Sequence, residues 1–260
     1  MPNLLQGLEI GRQALSARQS QISVVGNNIA NADNTSFHRQ DAVVQAGVTI
    51  RTVNGEFGTG VSVTKVVRVY NAAMEASLRD ATAEQSYYSS YGEALNAIES
   101  RLAPNGESLL ADSVTSLMTN LQEATANPHM RDVRLSLLQA ARQTTTQIKA
   151  DHSTLSKFRD AYVDSSGNGM LKNAVDEINS LATKVAELND SIAGYELNVA
   201  ESQPALLLRD QRDELVSRLA ELTGATATEQ SDGTYLVKIG SENLVSTNVA
   251  RSLALDTSGS

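Results

Sequence analysis

Apolar positions along this chain recur mainly with helical spacing. Near the start, Leu8, Leu15, Ile22 and Ile29 repeat every seven residues, while the companion heptad position reads Leu4, Gly11, Arg18 and Val25. One seam is strong and the other only half apolar. The pattern predicts an amphipathic helix over about 4–32 that needs a neighbour to cover it. Alone it is expected to be poorly ordered, because four buried side chains do not offset the ordering of so long a segment.

The period changes at 41–70. Asn54-Gly55 is a sharp turn signal, and Val61 and Val63 alternate with small polar residues, which predicts a β-hairpin arm from about 43 to 69. Gly58 and Gly60 suggest a bulged or flexible return. Helical spacing resumes over 71–102. It breaks at "APNGES" and restarts from Ser108, a predicted N-cap, to about 126. A further helix is predicted for 129–163, ended by "DSSGNG".

The most regular segment follows. Leu171, Ile178, Val185, Ile192 and Val199 hold one heptad position and Ala174, Leu181, Leu188 and Tyr195 the other, so a helix over 171–199 is expected to bury a continuous seam in an antiparallel bundle with its helical neighbours. After Pro204, residues 205–222 form another amphipathic pattern, with Gly224 as a C-cap. "GTYLVKI", "ENLVS" and "ARSLAL" (250–255) read as short strands. The expected fold class is mainly α: a long-helix bundle with an N-terminal amphipathic helix, a β-hairpin arm and a small C-terminal β segment. The expected divisions are 1–70, 71–222 and 223–260, the last being the start of a β-containing domain cut short.

Composition agrees with long packed helices. Hydrophobic residues make up 41% of the 260, but aromatics only 4%, with no Trp, so Leu, Ile, Val and Ala must build the core. Cys is absent, which removes disulfides and thiol chemistry. The net charge of −9 disfavours a nucleic-acid surface. The charge is uneven: residues 1–70 hold six basic and four acidic side chains, and the remainder 15 and 26. No apolar run is long enough to span a membrane, and the first residues lack a Sec-type signal pattern.

Candidate chemistry is sparse. His38, His129 and His152 lie far apart in sequence, so no metal centre is expected. Asp151, His152 and Ser153 are consecutive on a predicted helix and point in different directions, which excludes a triad. "GEFGTG" lacks the Lys-Ser/Thr of a phosphate loop. "RDQRDELVSR" (209–218) alternates sign, the pattern of a solvated helix face. No catalytic, cofactor-binding or metal-ligating residue is assigned.

Asn27, Asn28, Ile29, Ala30 and Asn31, followed by a short loop, Phe37 and then Arg39-Gln40, resemble the N-terminal motif of the flagellar axial proteins of rod, hook and hook-associated type. The Arg39-Gln40 ending and residues 206–245 are similar to the hook-associated protein 1 family of the hook–filament junction. The resemblance implies a structural, self-assembling subunit built around an assembly helix with Leu4, Leu8, Leu15, Ile22, Val25 and Ile29. It also implies partners: copies of itself in a helical ring, hook subunits, a filament-side junction protein and the flagellar export apparatus. Location would be the extracellular flagellum. Another axial protein, a distal rod or hook subunit, and a non-flagellar coiled-coil protein stand as alternatives. In the family a glycine usually precedes the aromatic, where Ser36 stands here. If that position needs a positive φ, Ser36 would cost about 1 kcal/mol or more. Family members are about twice as long, and their C-terminal helix returns to the N-terminal one.

Overall fold

The structure, a computed structural model, describes residues 4–52, 55–103, 106, 108–163, 169–198 and 205–256. Six helices and eight strands are among them. Helix α1 (Leu4–Ala30) leads into an arm of β1 (Gln40–Ala46), β2 (Thr49–Thr52), β3 (Gly55–Gly58) and β4 (Val61–Arg68). Then come α2 (Ala72–Leu102), α3 (Leu109–Ala126), α4 (Arg131–Tyr162), α5 (Met170–Asn198) and α6 (Leu206–Thr223). The last strands are β5 (Thr226–Glu229), β6 (Tyr235–Ile239), β7 (Glu242–Ser246) and β8 (Val249–Ala250).

The chain divides into two compact units. One comprises Met1–Glu84 with Ile178–Ser252, the other Gln85–Glu177 with Leu253–Ser260. Residues 223–252 therefore group with 178–222, which differs from the boundaries expected at 70 and 222. The physical reason is a shared core. Ile178, Leu181, Ala182, Val185 and Ala186 of α5 pack with Val216 and Leu219 of α6 and with Tyr235, Val237, Leu244 and Val245 of the sheet.

That sheet is antiparallel in the order β5-β6-β7-β8. Val237 and Val245 face each other across β6 and β7, both fully buried. The strand expected over 250–255 stops at Ala250, and β5 is an edge strand with one half-buried apolar residue, Ala227. Gly224 ends α6 in the left-handed region at φ 67°, where its N–H donates to the Ala220 carbonyl, as a C-cap glycine should. Asn189, on α5, is wholly buried and fully used. Its amide accepts from the Tyr235 N–H at 3.0 Å and donates to the carbonyls of Tyr235 and Thr247 at 2.9 and 2.6 Å. A polar side chain thus fixes α5 against two points of the sheet without leaving a group unpaired.

In the second unit α3 and α4 pair along their length. Ser108 caps α3, its Oγ accepting from the Ala111 N–H. Thr144 of α4 is buried and donates to Ser113 O of α3 at 3.1 Å, a polar pin between the two helices.

Candidate assembly site

Helix α1 has two faces with different fates. At 100° per residue, Leu8, Leu15, Ile22 and Ile29 lie on one side and Ile10, Ala17, Val24 and Asn28 on the other. The arm lies along the second side. There Ala17 is buried, and Ile10, Gln13, Gln21, Val24 and Asn28 are half-buried. Gly60, at φ 114°, brings β4 so close to the helix that a Cβ would lie 3.6 Å from the Ile10 Cα and 2.8 Å from a Gln13 side-chain oxygen. The bulge in the ladder sits at Val43/Val44.

Among the described residues nothing covers the strong seam. Leu8, Leu15, Ile22 and Ile29 are 74, 71, 72 and 71% exposed, and Val25 is 54% exposed. The side chain of Leu4 lies outside the described residues. The opposite face lies against the arm, while nothing among the described residues covers this row of large apolar side chains, which makes the row a candidate contact surface.

The asparagine motif joins the end of α1 to the start of the arm. Asn28 accepts from the Gln40 N–H at 2.9 Å and donates to the Gln40 carbonyl at 2.8 Å. One amide side chain thus pairs with a residue's whole backbone, as a neighbouring strand would. The Asn31 amide donates back to the Asn27 carbonyl and side-chain oxygen, both at 3.0 Å. Asn27 reaches the Gln40 side chain at 3.4 Å. Asn34 accepts from the Ser36 N–H at 3.1 Å, and the Phe37 N–H closes on the Asn34 carbonyl. Ser36 is not at positive φ; among the described non-glycine residues only Thr247 is. The expected strain at Ser36 is therefore absent, because a local Asx turn supplies the bend. Phe37 is half-buried and Arg39 exposed; Ile29 faces outward and Ala30 is exposed at the helix end.

Behind the motif lies a buried ionic cluster. Arg68, at the end of β4, donates from one Nη1 to Asp210 at 2.7 Å and Asp213 at 2.8 Å, all three side chains being at most 7% exposed. His38 Nδ1 lies 2.8 Å from the same Asp210 oxygen. The carboxylate can only accept, so Nδ1 carries the hydrogen. His38 Nε2 is 3.5 Å from Glu75. The Tyr235 hydroxyl donates to Asp213 at 2.7 Å, with Tyr70 Oη 3.2 Å away. Burial pulls the Arg68 guanidinium down, but the two aspartates together outweigh it and hold its pKa above the ordinary value. Burial first, and then Asp213, push the Tyr235 phenol well up. His38, Asp210 and Asp213 offer three ligand atoms within 4.8 Å of one another. Arg68 already holds the cation position between both carboxylates, so a guanidinium does there what a metal would do.

The sign-alternating run 209–218 is thus not a solvated face. Asp210, Arg212 and Asp213 are 4, 0 and 5% exposed. Arg209 instead pairs with Glu196 and Glu229. Arg212 donates to Asn189 and the Gly233 carbonyl and lies 3.7 Å over the Tyr235 ring. Local charge pattern misled here because the partners arrive from β4 and the sheet, far away in sequence.

The predicted helical seam of α5 is buried only in its middle. Ile178, Leu181, Val185 and Ile192 are buried and Leu188 is half-buried, whereas Leu171 and Tyr195 are 41 and 48% exposed. Val199 lies outside the described residues. Burial follows the sheet and α6, which cover that stretch, so the expectation of a seam buried throughout does not hold at Leu171 and Tyr195.

Comparison with known proteins gives this arrangement a context. The profile described as "Flagellar hook-associated protein FlgK helical domain" matches residues 95–260, and that for "Flagella basal body rod protein" matches residues 8–36. The chain is 32% identical over 241 residues to flagellar hook-associated protein 1 of Salmonella typhimurium, covering 92% of this chain and 42% of the relative. The Escherichia coli protein of that name is 30% identical, with 92 and 43% covered, and that of Bacillus subtilis 27%, with 94 and 50% covered. The chain thus spans about half the length of these relatives or somewhat less. A solved structure, the flagellar hook junction protein FlgK of Burkholderia pseudomallei, is similar over 70% of this chain and 30% of its own, with a TM-score of 0.52 and 25% identity. The chain belongs to the FlgK family of flagellar hook-associated proteins.

Proposed function

We propose that this chain is a structural subunit of the bacterial flagellum at the hook–filament junction and that it assembles with copies of itself through the open face of α1. The carrying observation is the row Leu8, Leu15, Ile22 and Ile29, which no described residue covers, beside an arm that covers the opposite face. Head-to-tail contacts through such a stripe build rings and helical tubes rather than closed dimers. The names of the relatives support the location. On this reading hook subunits contact one side of the ring and a filament-side junction protein the other. The flagellar export apparatus carries the chain out of the cell. The role is mechanical and not catalytic. No helix among the described residues is long and apolar enough to cross a membrane. Residues 1–70 act as the assembly segment, and α5, α6 and the sheet form the core to which the base of the arm is tied.

Leu15→Asp with Ile22→Asp tests this. Both positions are exposed, so monomer stability should change by no more than about 0.5 kcal/mol each. Association of the wild-type chain, followed by sedimentation velocity as concentration rises, should be lost in the variant. Association that persists in the variant overturns the reading.

A further inference from the structure

The arm is one hairpin divided between two sheets. β1 pairs with β4 at its base and β2 with β3 at its tip. The register nevertheless runs through. Ala46 stands opposite Val61 and Thr49 opposite Gly58, with Gly47 and Val48 on one strand and Thr59 and Gly60 on the other between them. No residue is inserted at the joint, so the ladder changes direction there without slipping.

The break lies at Gly60. The Gly47 N–H donates to the Gly60 carbonyl at 2.8 Å. In an antiparallel ladder such a pair exchanges two bonds. The second, from the Gly60 N–H to the Gly47 carbonyl, is not made, since φ 114° at Gly60 is far from the extended range of a strand. Two contacts hold this kink. Thr59 Oγ1 donates to the Val48 carbonyl at 2.6 Å, directly across the joint. Gly60 itself lies against Ile10 and Gln13 of α1. Gly47 leaves room for the hydroxyl: a Cβ there would collide with Thr59 Oγ1. An extended φ at Gly60 would let the missing ladder bond form and join base and tip into one straight ribbon. The kinked form thus trades a backbone hydrogen bond for the Thr59 bond and the contact with α1. Such a near balance between two discrete arrangements is what a two-state element needs.

We propose that the joint between Gly47 and Gly60 is a switchable kink, with the Thr59 hydroxyl as its latch and α1 as its support. The tip has two orientations, the kinked one and a straight one with a continuous ladder. Because Gly60 rests on Ile10 and Gln13, moving α1 away from the arm releases the kink, and the direction of the tip follows the position of α1. The switch stands on the arm's own geometry and does not require the assembly proposed above.

The chain has no cysteine, so nitroxide labels go only where cysteines are introduced. Glu56→Cys in the tip and Lys65→Cys in the base, both exposed, bracket the joint. Nine residues at about 3.3 Å each put these sites roughly 30 Å apart in the straight form, and a kink shortens that. Double electron–electron resonance on the whole labelled chain should show one shorter distance. Gly60→Ala, whose side chain disfavours the positive φ, should move the distribution to the longer value. Thr59→Val removes the latch hydroxyl and Gly47→Ala displaces it; each should add a second peak at the longer value. Hydrogen exchange of the β1–β4 ladder checks that the base stays folded, and the isosteric Thr59→Val decides where Gly60→Ala unfolds it. If Thr59→Val and Gly47→Ala leave the distance unchanged, the kink is fixed and the proposal is overturned. A labelled chain that already shows the longer distance without these substitutions overturns it too. Neither result bears on association through α1, which sedimentation tests separately.

Discussion

Arg68→Met removes the cation from the buried cluster while keeping a long apolar side chain in its place. Two carboxylates, Asp210 and Asp213, then face each other at no more than 7% exposure. His38 and the Tyr235 hydroxyl remain as donors, but each already serves one of the two aspartates. The second oxygen of Asp210 has no partner even with Arg68 present. Removing one member of a buried pair costs about 3–5 kcal/mol, because the other charge stays desolvated. An exposed pair would cost about 0–1 kcal/mol. For a unit of this size each kcal/mol moves the melting temperature by about 2–4 °C, so a fall of roughly 6–20 °C is expected.

The assay is thermal unfolding of the whole chain, with amide hydrogen exchange of α6 to assign the loss to the first unit. The triple variant Arg68→Met, Asp210→Leu, Asp213→Leu should recover most of the stability, since an apolar replacement of a whole buried ionic group is often neutral. A single-variant loss below about 1 kcal/mol would show that water reaches the cluster. A triple variant as unstable as the single one would show that shape, not charge, makes Arg68 matter.

Other outcomes follow from single contacts. Asn28→Ala removes both bonds to the Gln40 backbone and should cost about 1–3 kcal/mol; hydrogen exchange of the Gln40 amide should rise sharply, and unchanged protection would refute the pairing. Thr247 sits at φ 55°, unfavourable for a β-branched residue, so Thr247→Gly should stabilise the β7–β8 turn by about 1 kcal/mol, with a lower melting temperature the refuting result. Tyr235 is held neutral in the folded state, its pKa raised above the ordinary value near 10. Its contribution is present below pH 10 and is lost as pH rises beyond that, because only the unfolded chain releases the proton readily. In a 295 nm titration one of the seven tyrosines should therefore ionise only with unfolding; full titration of a folded chain would contradict this.

Helix positions were legible because their signals are local. Ser108 and Gly224 cap where their side-chain chemistry says they should, and the 3.6-residue period of α5 gives its length within a residue. The hairpin arm was legible from a change of period. β5 was not, since Thr226–Glu229 has a single apolar residue and earns its place by pairing with β6. What α1 packs against was also hidden. Its apolar seam says that a cover is needed, yet the arm takes the mixed face of Ile10, Ala17, Val24 and Asn28, where Ala17 on the helix and Gly60 on the arm allow close approach and Asn28 supplies hydrogen bonds.

The ionic cluster marks the limit of sequence reading most clearly. Asp210 meets Arg68 across 142 positions and His38 across 172. In α6 the same carboxylates look like ordinary i, i+3 members of a charged surface, because desolvation has no local signature. The cluster has a consequence for assembly. His38 is the residue between Phe37 and Arg39 of the motif, and Arg68 ends the arm, so both strands of the arm's base are tied to α6. Asn28 ties α1 to that same base. An outward pull on α1 is therefore resisted first by two amide hydrogen bonds and then by a buried ion pair. The order of failure should be Asn28–Gln40 before Arg68–Asp210, since a half-buried amide pair contributes less than a desolvated charge pair left half-broken. On the proposed assembly through α1, that gradation would let the contact nearest a neighbour yield locally while the core of α5, α6 and the sheet stays closed.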